Sequence, residues 1–259
     1  MIVGMKGVNL SGDVVDEDFD VVREAGFDLV RLPVKWEGAD RAAVDQTVAA
    51  VLSRGLSVVL DVHHFEGSGE SLVALWRELS ARYEGVTFEL LNEPVDGEWW
   101  NEWLPRVLEV VPRRPVIVGP GRWNTVGGLQ TLRLPPGEDL IVTVHYYSPF
   151  RFTHQGAAWL PGSDEWLGAR WGSEAEQARV GRDLEAAAAW AAPLPLFLGE
   201  SGTLETALMP DRAAWTTRVR SEAERLGLSW CFWDFATDFG AFDRAAGAWR
   251  EPLKTALLG

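Results

Sequence analysis

The chain has 259 residues, 47% of them hydrophobic, and a formal net charge of −14 at pH 7. That length suits one domain, residues 1–259, and matches the size of about 250 residues usual for an eight-fold α/β barrel. Strong acidity disfavours nucleic acid and anionic membranes as partners, since both are bound through clustered Lys and Arg, and is compatible with a neutral polymer.

The opening segment, Met1 to Val8, has neither the charged n-region nor the long apolar h-region of a signal peptide. A protein acting inside the cell and an exported one trimmed of its signal both remain open. The first apolar run is Met5–Asn9, followed by an amphipathic stretch, Asp16–Ala25, that stops at Gly26. Strand-like Asp28–Arg31 precedes a helical Ala42–Arg54, closed by Gly55; Ser57–His63 precedes Ser71–Tyr83; Thr87–Leu91 precedes Trp99–Val110. Then come Val116–Gly119, a connection over Gly121–Glu138 with no clear helical period, and Leu140–His145. The remaining elements are helical Ser173–Ala192, strand Leu196–Leu198, helical Asp211–Leu226, strand Ser229–Phe235 and a final helix, Trp249–Leu258. Strands alternating with helices, without a linker or repeated block, predict a (β/α)8 TIM barrel. An open doubly wound sheet is the alternative, but no Gly-x-Gly-x-x-Gly string follows any strand. No run reaches the roughly 18 apolar residues of a membrane span. Cys231 is the only cysteine, so no intramolecular disulfide can form, and its apolar setting reads as a small buried hydrophobe.

Two glutamates stand where apolar runs break, Glu93 in Leu-Leu-Asn-Glu-Pro and Glu200 in Phe-Leu-Gly-Glu-Ser. In a parallel barrel such positions open into the active-site mouth. Two carboxylates facing each other there are the apparatus of glycoside hydrolysis. Asn before Glu-Pro is also an ordinary helix start, so the pair carries weight only together with its neighbours. Those neighbours are Arg31, His63, His64, Asn92, His145, Tyr147, Trp233 and Asp234, all at strand ends. A catalytic metal fits the spacing poorly: there is no His-x-His pair and no His-Glu-x-x-His helix, and adjacent His63 and His64 would point to opposite faces of a strand. No cofactor is expected. Among fourteen tryptophans, Trp36, Trp123 and Trp159 fall in loop-like segments and read as flat faces for stacking on sugar rings.

The strings Lys-Gly-Val-Asn-Leu (6–10), Val-Arg-Leu-Pro-Val (30–34), Asp-Val-His-His (61–64), Leu-Asn-Glu-Pro (91–94), Val-His-Tyr-Tyr-Ser-Pro-Phe (144–150), Leu-Gly-Glu-Ser-Gly (198–202) and Trp-Cys-Phe-Trp-Asp-Phe (230–235) resemble glycoside hydrolase family 5, in the family's order along nearly the whole chain. The stretch His145 to Trp171 looks especially like bacterial endo-β-1,4-glucanases of that family. The resemblance implies a retaining hydrolase of β-linked polysaccharide, with Glu93 as acid/base and Glu200 as nucleophile. It also implies Asn92 at the sugar 2-hydroxyl, Arg31 and Tyr147 near Glu200, and His145 near Glu93. His63 and His64 would line the glycone side, Trp233 would form the floor, and Trp123 and Trp159 would be further platforms. A β-mannanase or dual glucan/mannan hydrolase is the alternative within the same chemistry; a non-catalytic sugar-binding barrel and a metal-dependent hydrolase are alternatives outside it. Such a barrel works as a monomer in principle. Two departures stand out: Gly12 lies near where the family carries Asn, and the loops after the first three strands are short, which predicts a shallower, more open cleft.

Overall fold

The structure is a computed structural model and describes residues 2–111, 114–136 and 139–259. Eight parallel strands close into a barrel, each hydrogen-bonded to the next and the first to the last. They are β1 (Lys6–Asn9), β2 (Leu29–Val34), β3 (Ser57–Val62), β4 (Thr87–Glu89), β5 (Val116–Val118), β6 (Leu140–Tyr146), β7 (Leu196–Ser201) and β8 (Ser229–Phe232). Around them lie α1 (Asp16–Ala25), α2 (Arg41–Ser53), α3 (Gly69–Arg82), α4 (Gly97–Leu108), the short α5 (Phe150–Thr153), α6 (Glu174–Ala191), α7 (Met209–Arg225) and α8 (Glu251–Leu258).

The starts of α2, α3, α4 and α6 follow side-chain caps rather than apolar period. Asp96 accepts from the backbone N–H groups of Glu98 and Trp99, so α4 begins two residues before the expected Trp99. Ser173 and Glu176 form a capping box that starts α6. The last helix begins at Glu251, not Trp249, because Ala248–Trp249 pairs antiparallel with Phe242–Asp243 as a small hairpin, β9 and β10. The connection after β5 carries a 3-10 turn over Val126–Thr131, and residues 137–138 at its end lie outside the described residues. Strand ends also shift: β3 stops at Val62 and β4 at Glu89, short of the expected His63 and Leu91, whereas β2 and β7 run on to Val34 and Ser201.

Strand alternation sorts the barrel interior into layers. Leu29, Val59, Ile117, Ile141, Phe197 and Cys231 form a buried apolar plug. Burial pushes the Cys231 thiol well up, as an inert interior group should be. Two residues further along, the same inward faces carry Asn9, Arg31, Asp61, Glu89 and Thr143, each 0% exposed. The polar site rests directly on this apolar floor.

Glu200 does not follow that alternation. Phe197 faces in, so Leu198 faces out to the helices and Glu200 would do the same. Instead the β6–β7 register shifts: Val144 pairs with Leu198, but His145 pairs with Glu200, leaving Gly199 as the extra residue of a bulge. A side chain at Gly199 would put its Cβ 2.8 Å from Thr143 Oγ1 and 3.1 Å from His145 Nε2, so only glycine fits easily. The bulge turns Glu200 inward.

Candidate active site

Arg31 organises the polar layer. Its Nε donates to Glu89 Oε2 at 2.6 Å, Nη2 meets Asp61 Oδ2 at 2.6 Å, and Nη1 donates to Glu200 Oε1 at 2.8 Å. Nη1 also donates to Asn9 Oδ1 and Nη2 to Asn92 Oδ1, both at 2.8 Å. Asn9 is tied in turn to the carbonyls of Gly199 and Phe232, which anchors the bulge to β1. The guanidinium thus faces three buried carboxylates. Burial opposes charge on Asp61, but Arg31 outweighs it and holds the acid below the usual carboxylate range. Burial prevails at Glu89 and raises it.

Glu200 is fixed from two sides, by Arg31 and by the Tyr147 hydroxyl, which donates to Oε2 at 2.9 Å. Burial and the Glu200 charge push the Tyr147 phenol well up, so it remains a donor. Glu93 follows β4 with φ at +46°, in the left-handed region, and its carboxyl is pushed by burial up to about 7. His145 Nδ1 lies 2.7 Å from Glu93 Oε1 and 3.4 Å from Glu200 Oε2. Burial lowers the His145 pKa, so its ring is neutral. One ligand-type atom each from Glu93, His145 and Glu200 lie within 4.8 Å of one another. The two glutamates and His145 thus meet at one point of the barrel mouth.

His63 Nδ1 lies 3.2 Å from Asp61 Oδ2, and its ring stacks on Trp233 with centroids 5.7 Å apart. Burial opposes a charge on His63, yet the Asp61 carboxylate outweighs it and the pKa rises. Because β3 ends at Val62 and His64 has φ at +53°, the two histidines do not point to opposite faces; their rings meet edge to face at 4.6 Å. Beside His63, His64 and Trp233 the site continues into a cavity of about 630 Å³, lined also by Gly12, Leu32 and Lys35.

Trp123 and Trp159 are 54% and 58% exposed, and Trp159 packs near Phe239 and His154. Trp36 is different: it is 4% exposed and donates its indole N–H to the Asp61 carbonyl at 2.8 Å, so it is a core residue and not a sugar platform. Sequence reasoning missed Asp61, Glu89 and Asn9 as parts of the network. The signal was there for the acids: a carboxylate inside the apolar run Val-Val-Leu-Asp-Val or Thr-Phe-Glu-Leu-Leu needs a buried partner.

A family model described as cellulase (glycosyl hydrolase family 5) matches residues 3–238. Endoglucanase H of Acetivibrio thermocellus is 27% identical over 269 residues, covering 92% of this chain and 29% of that protein. Cellodextrinase A of Ruminococcus flavefaciens is 28% identical, covering 61% of this chain and 62% of that protein. The chain therefore spans less than two thirds of the length of these curated relatives. Structures of Thermotoga maritima Cel5A, described in complex with cellobiose and with mannotriose, are 33% identical with a TM-score of 0.93, covering 97% of this chain and 96% of theirs.

Proposed function

Since the chain belongs to glycosyl hydrolase family 5, we propose that it cleaves β-1,4-glucan internally, with retention of configuration, through Glu93 and Glu200. The observation that carries the reading is the unequal treatment of two facing carboxyls. Glu93 keeps a proton up to about pH 7, while Glu200 accepts hydrogen bonds from Arg31 and Tyr147 that suit a carboxylate. Their oxygens approach within 4.8 Å, which supports the roughly 5–5.5 Å separation of retaining enzymes over the 6.5–9.5 Å of inverting ones.

In the first step a Glu200 oxygen attacks the anomeric carbon as the glycosidic bond breaks and Glu93 passes its proton to the leaving oxygen. Glu200 loses its charge in the glycosyl-enzyme, and Glu93 is left ionised and hydrogen-bonded to His145. Glu93 then takes a proton from water as that water attacks the same carbon, releasing the sugar and restoring both carboxyls. Asn92, oriented by Arg31, is assigned to the 2-hydroxyl of the reacting sugar. Trp233 and the histidine pair serve as the adjoining sugar wall, and Trp123 and Trp159 as outlying platforms.

Mannan is the second reading, favoured by the mannotriose complex of the Thermotoga maritima relative. Initial rates on soluble β-glucan, carboxymethylcellulose, glucomannan, mannan and xylan separate the two. Stereochemistry tests the roles: with an activated aryl glycoside and azide, Glu93→Ala gives a retained glycosyl azide and Glu200→Ala an inverted one. The reverse pattern exchanges the two assignments, and inactivity of the parent on every polymer favours a sugar-binding barrel.

A further inference from the structure

We propose that Asn124 is a positioning residue that keeps the single ring proton of His145 on Nδ1, facing Glu93. Asn124 is 0% exposed and is the last of three consecutive non-glycine residues with left-handed backbone, Arg122 at +61°, Trp123 at +58° and Asn124 at +50°. Such residues are unfavourable one at a time, by about 1–2 kcal/mol, so the surroundings must hold the turn. On one side Arg122 and Trp123 donate to the carbonyls of Val95 and Pro94, next to Glu93. On the other, His145 N–H donates to the Asn124 carbonyl at 2.8 Å, and Thr125 bridges to His145. Gly119 makes the room: a Cβ there would sit 2.1 Å from Asn124 Oδ1.

The ring itself decides where the proton sits. Nδ1 faces Glu93 Oε1 at 2.7 Å and Glu200 Oε2 at 3.4 Å. A lone pair aimed at the Glu200 carboxylate, and at Glu93 once it ionises, is repelled, whereas an N–H aimed at them is bound. A neutral ring with its proton on Nδ1 leaves Nε2 as an acceptor that needs a donor. The Asn124 amide nitrogen, 3.4 Å away, is that donor. It opposes Glu89, whose Oε1 lies 4.0 Å from the same Nε2, has no hydrogen-bond partner among the described residues, and draws the proton toward Nε2. Without the amide, Glu89 prevails, Nδ1 turns a lone pair to Glu93, and the protonated form of Glu93 gains an acceptor. The other charged or titratable groups around the pair are Arg31 on β2, Asp61 on β3, His63 and His64 after it, and Tyr147 after β6; the substitutions remove none of them.

The kinetic consequence rests on Glu93 being the acid/base, but the tautomer does not. The test is therefore a long-range 15N–1H spectrum of the His145 ring, with the pH profile of kcat/KM on soluble β-glucan, in the parent, Asn124→Gly and Asn124→Ala. Glycine takes a positive φ without strain, so Asn124→Gly removes the amide and spares the turn. The parent should show Nδ1 protonated and Nε2 bare, and both variants should move the proton to Nε2. The alkaline limb should then rise by about one pH unit in the variants. A parent ring protonated at Nε2, or variants that keep the proton on Nδ1, overturns the proposal. A tautomer that switches while the alkaline limb stays put supports it and counts instead against Glu93 as the acid.

Discussion

Glu93→Gln tests the burial of the acid without measuring catalysis. A carboxyl whose pKa stands at about 7 in the folded protein, against an ordinary 4.5, binds its proton more tightly when folded. The gap corresponds to about 3 kcal/mol at about 1.4 kcal/mol per pH unit. Because 29% of the side chain reaches solvent, screening trims this to about 2 kcal/mol. The sign follows from proton counting: between pH 4.5 and 7 the folded state holds more protons than the unfolded one, so stability falls as pH rises through that window. Glutamine cannot ionise and still accepts from His145, so it escapes the loss. Thermal melts should coincide for parent and variant at pH 4, and at pH 8 the variant should melt higher by about 4–8 °C, taking about 2–4 °C per kcal/mol for a chain of this size. A difference that does not grow between pH 4 and pH 8 refutes the argument that burial strains the ionised acid.

Tyr147→Phe removes one hydrogen bond to the charged Glu200, worth about 1.5–3 kcal/mol, so kcat on soluble β-glucan should fall about 10- to 150-fold with a smaller change in KM. Arg31→Met leaves Asp61, Glu89 and Glu200 buried without their cation; urea melts at pH 7 should show a loss of about 3–5 kcal/mol, partly recovered at pH 4 as the acids take up protons. Trp159→Ala, at a 58% exposed ring, should raise KM for long glucans while leaving the melting temperature within about 1–2 °C, since a surface truncation changes stability by only about 0.5 kcal/mol.

The barrel was legible because a parallel sheet covered on both faces reads as apolar runs, and the runs recur between amphipathic stretches. Where an apolar run ends is not where pairing ends. Leu90 and Leu91 continue the fourth run but fall beyond β4, whereas polar Ser201 is still paired within β7. Trp36 was misread because loop residues in sequence can still be core residues in space: Trp36 sits between two elements yet packs near Tyr83. Both facing glutamates were readable from strand-end position. Their support was less so, because the partners of Arg31 lie 30, 58 and 169 residues further along the chain, as Asp61, Glu89 and Glu200. Asn124 could not be found at all without the ring it faces.

The bulge at Gly199 makes the reaction a matter of parity. In β7 every residue belongs to the inside or the outside of the barrel by counting, and Glu200 stands on the inside only because one residue is left uncounted. Gain of a single codon between Gly199 and Glu200 would upset that count and send the carboxylate out among the helices. The tryptophan faces and the histidine wall, held by other strands, would remain. One in-frame insertion would therefore separate a sugar-cleaving chain from one that could only hold its sugar.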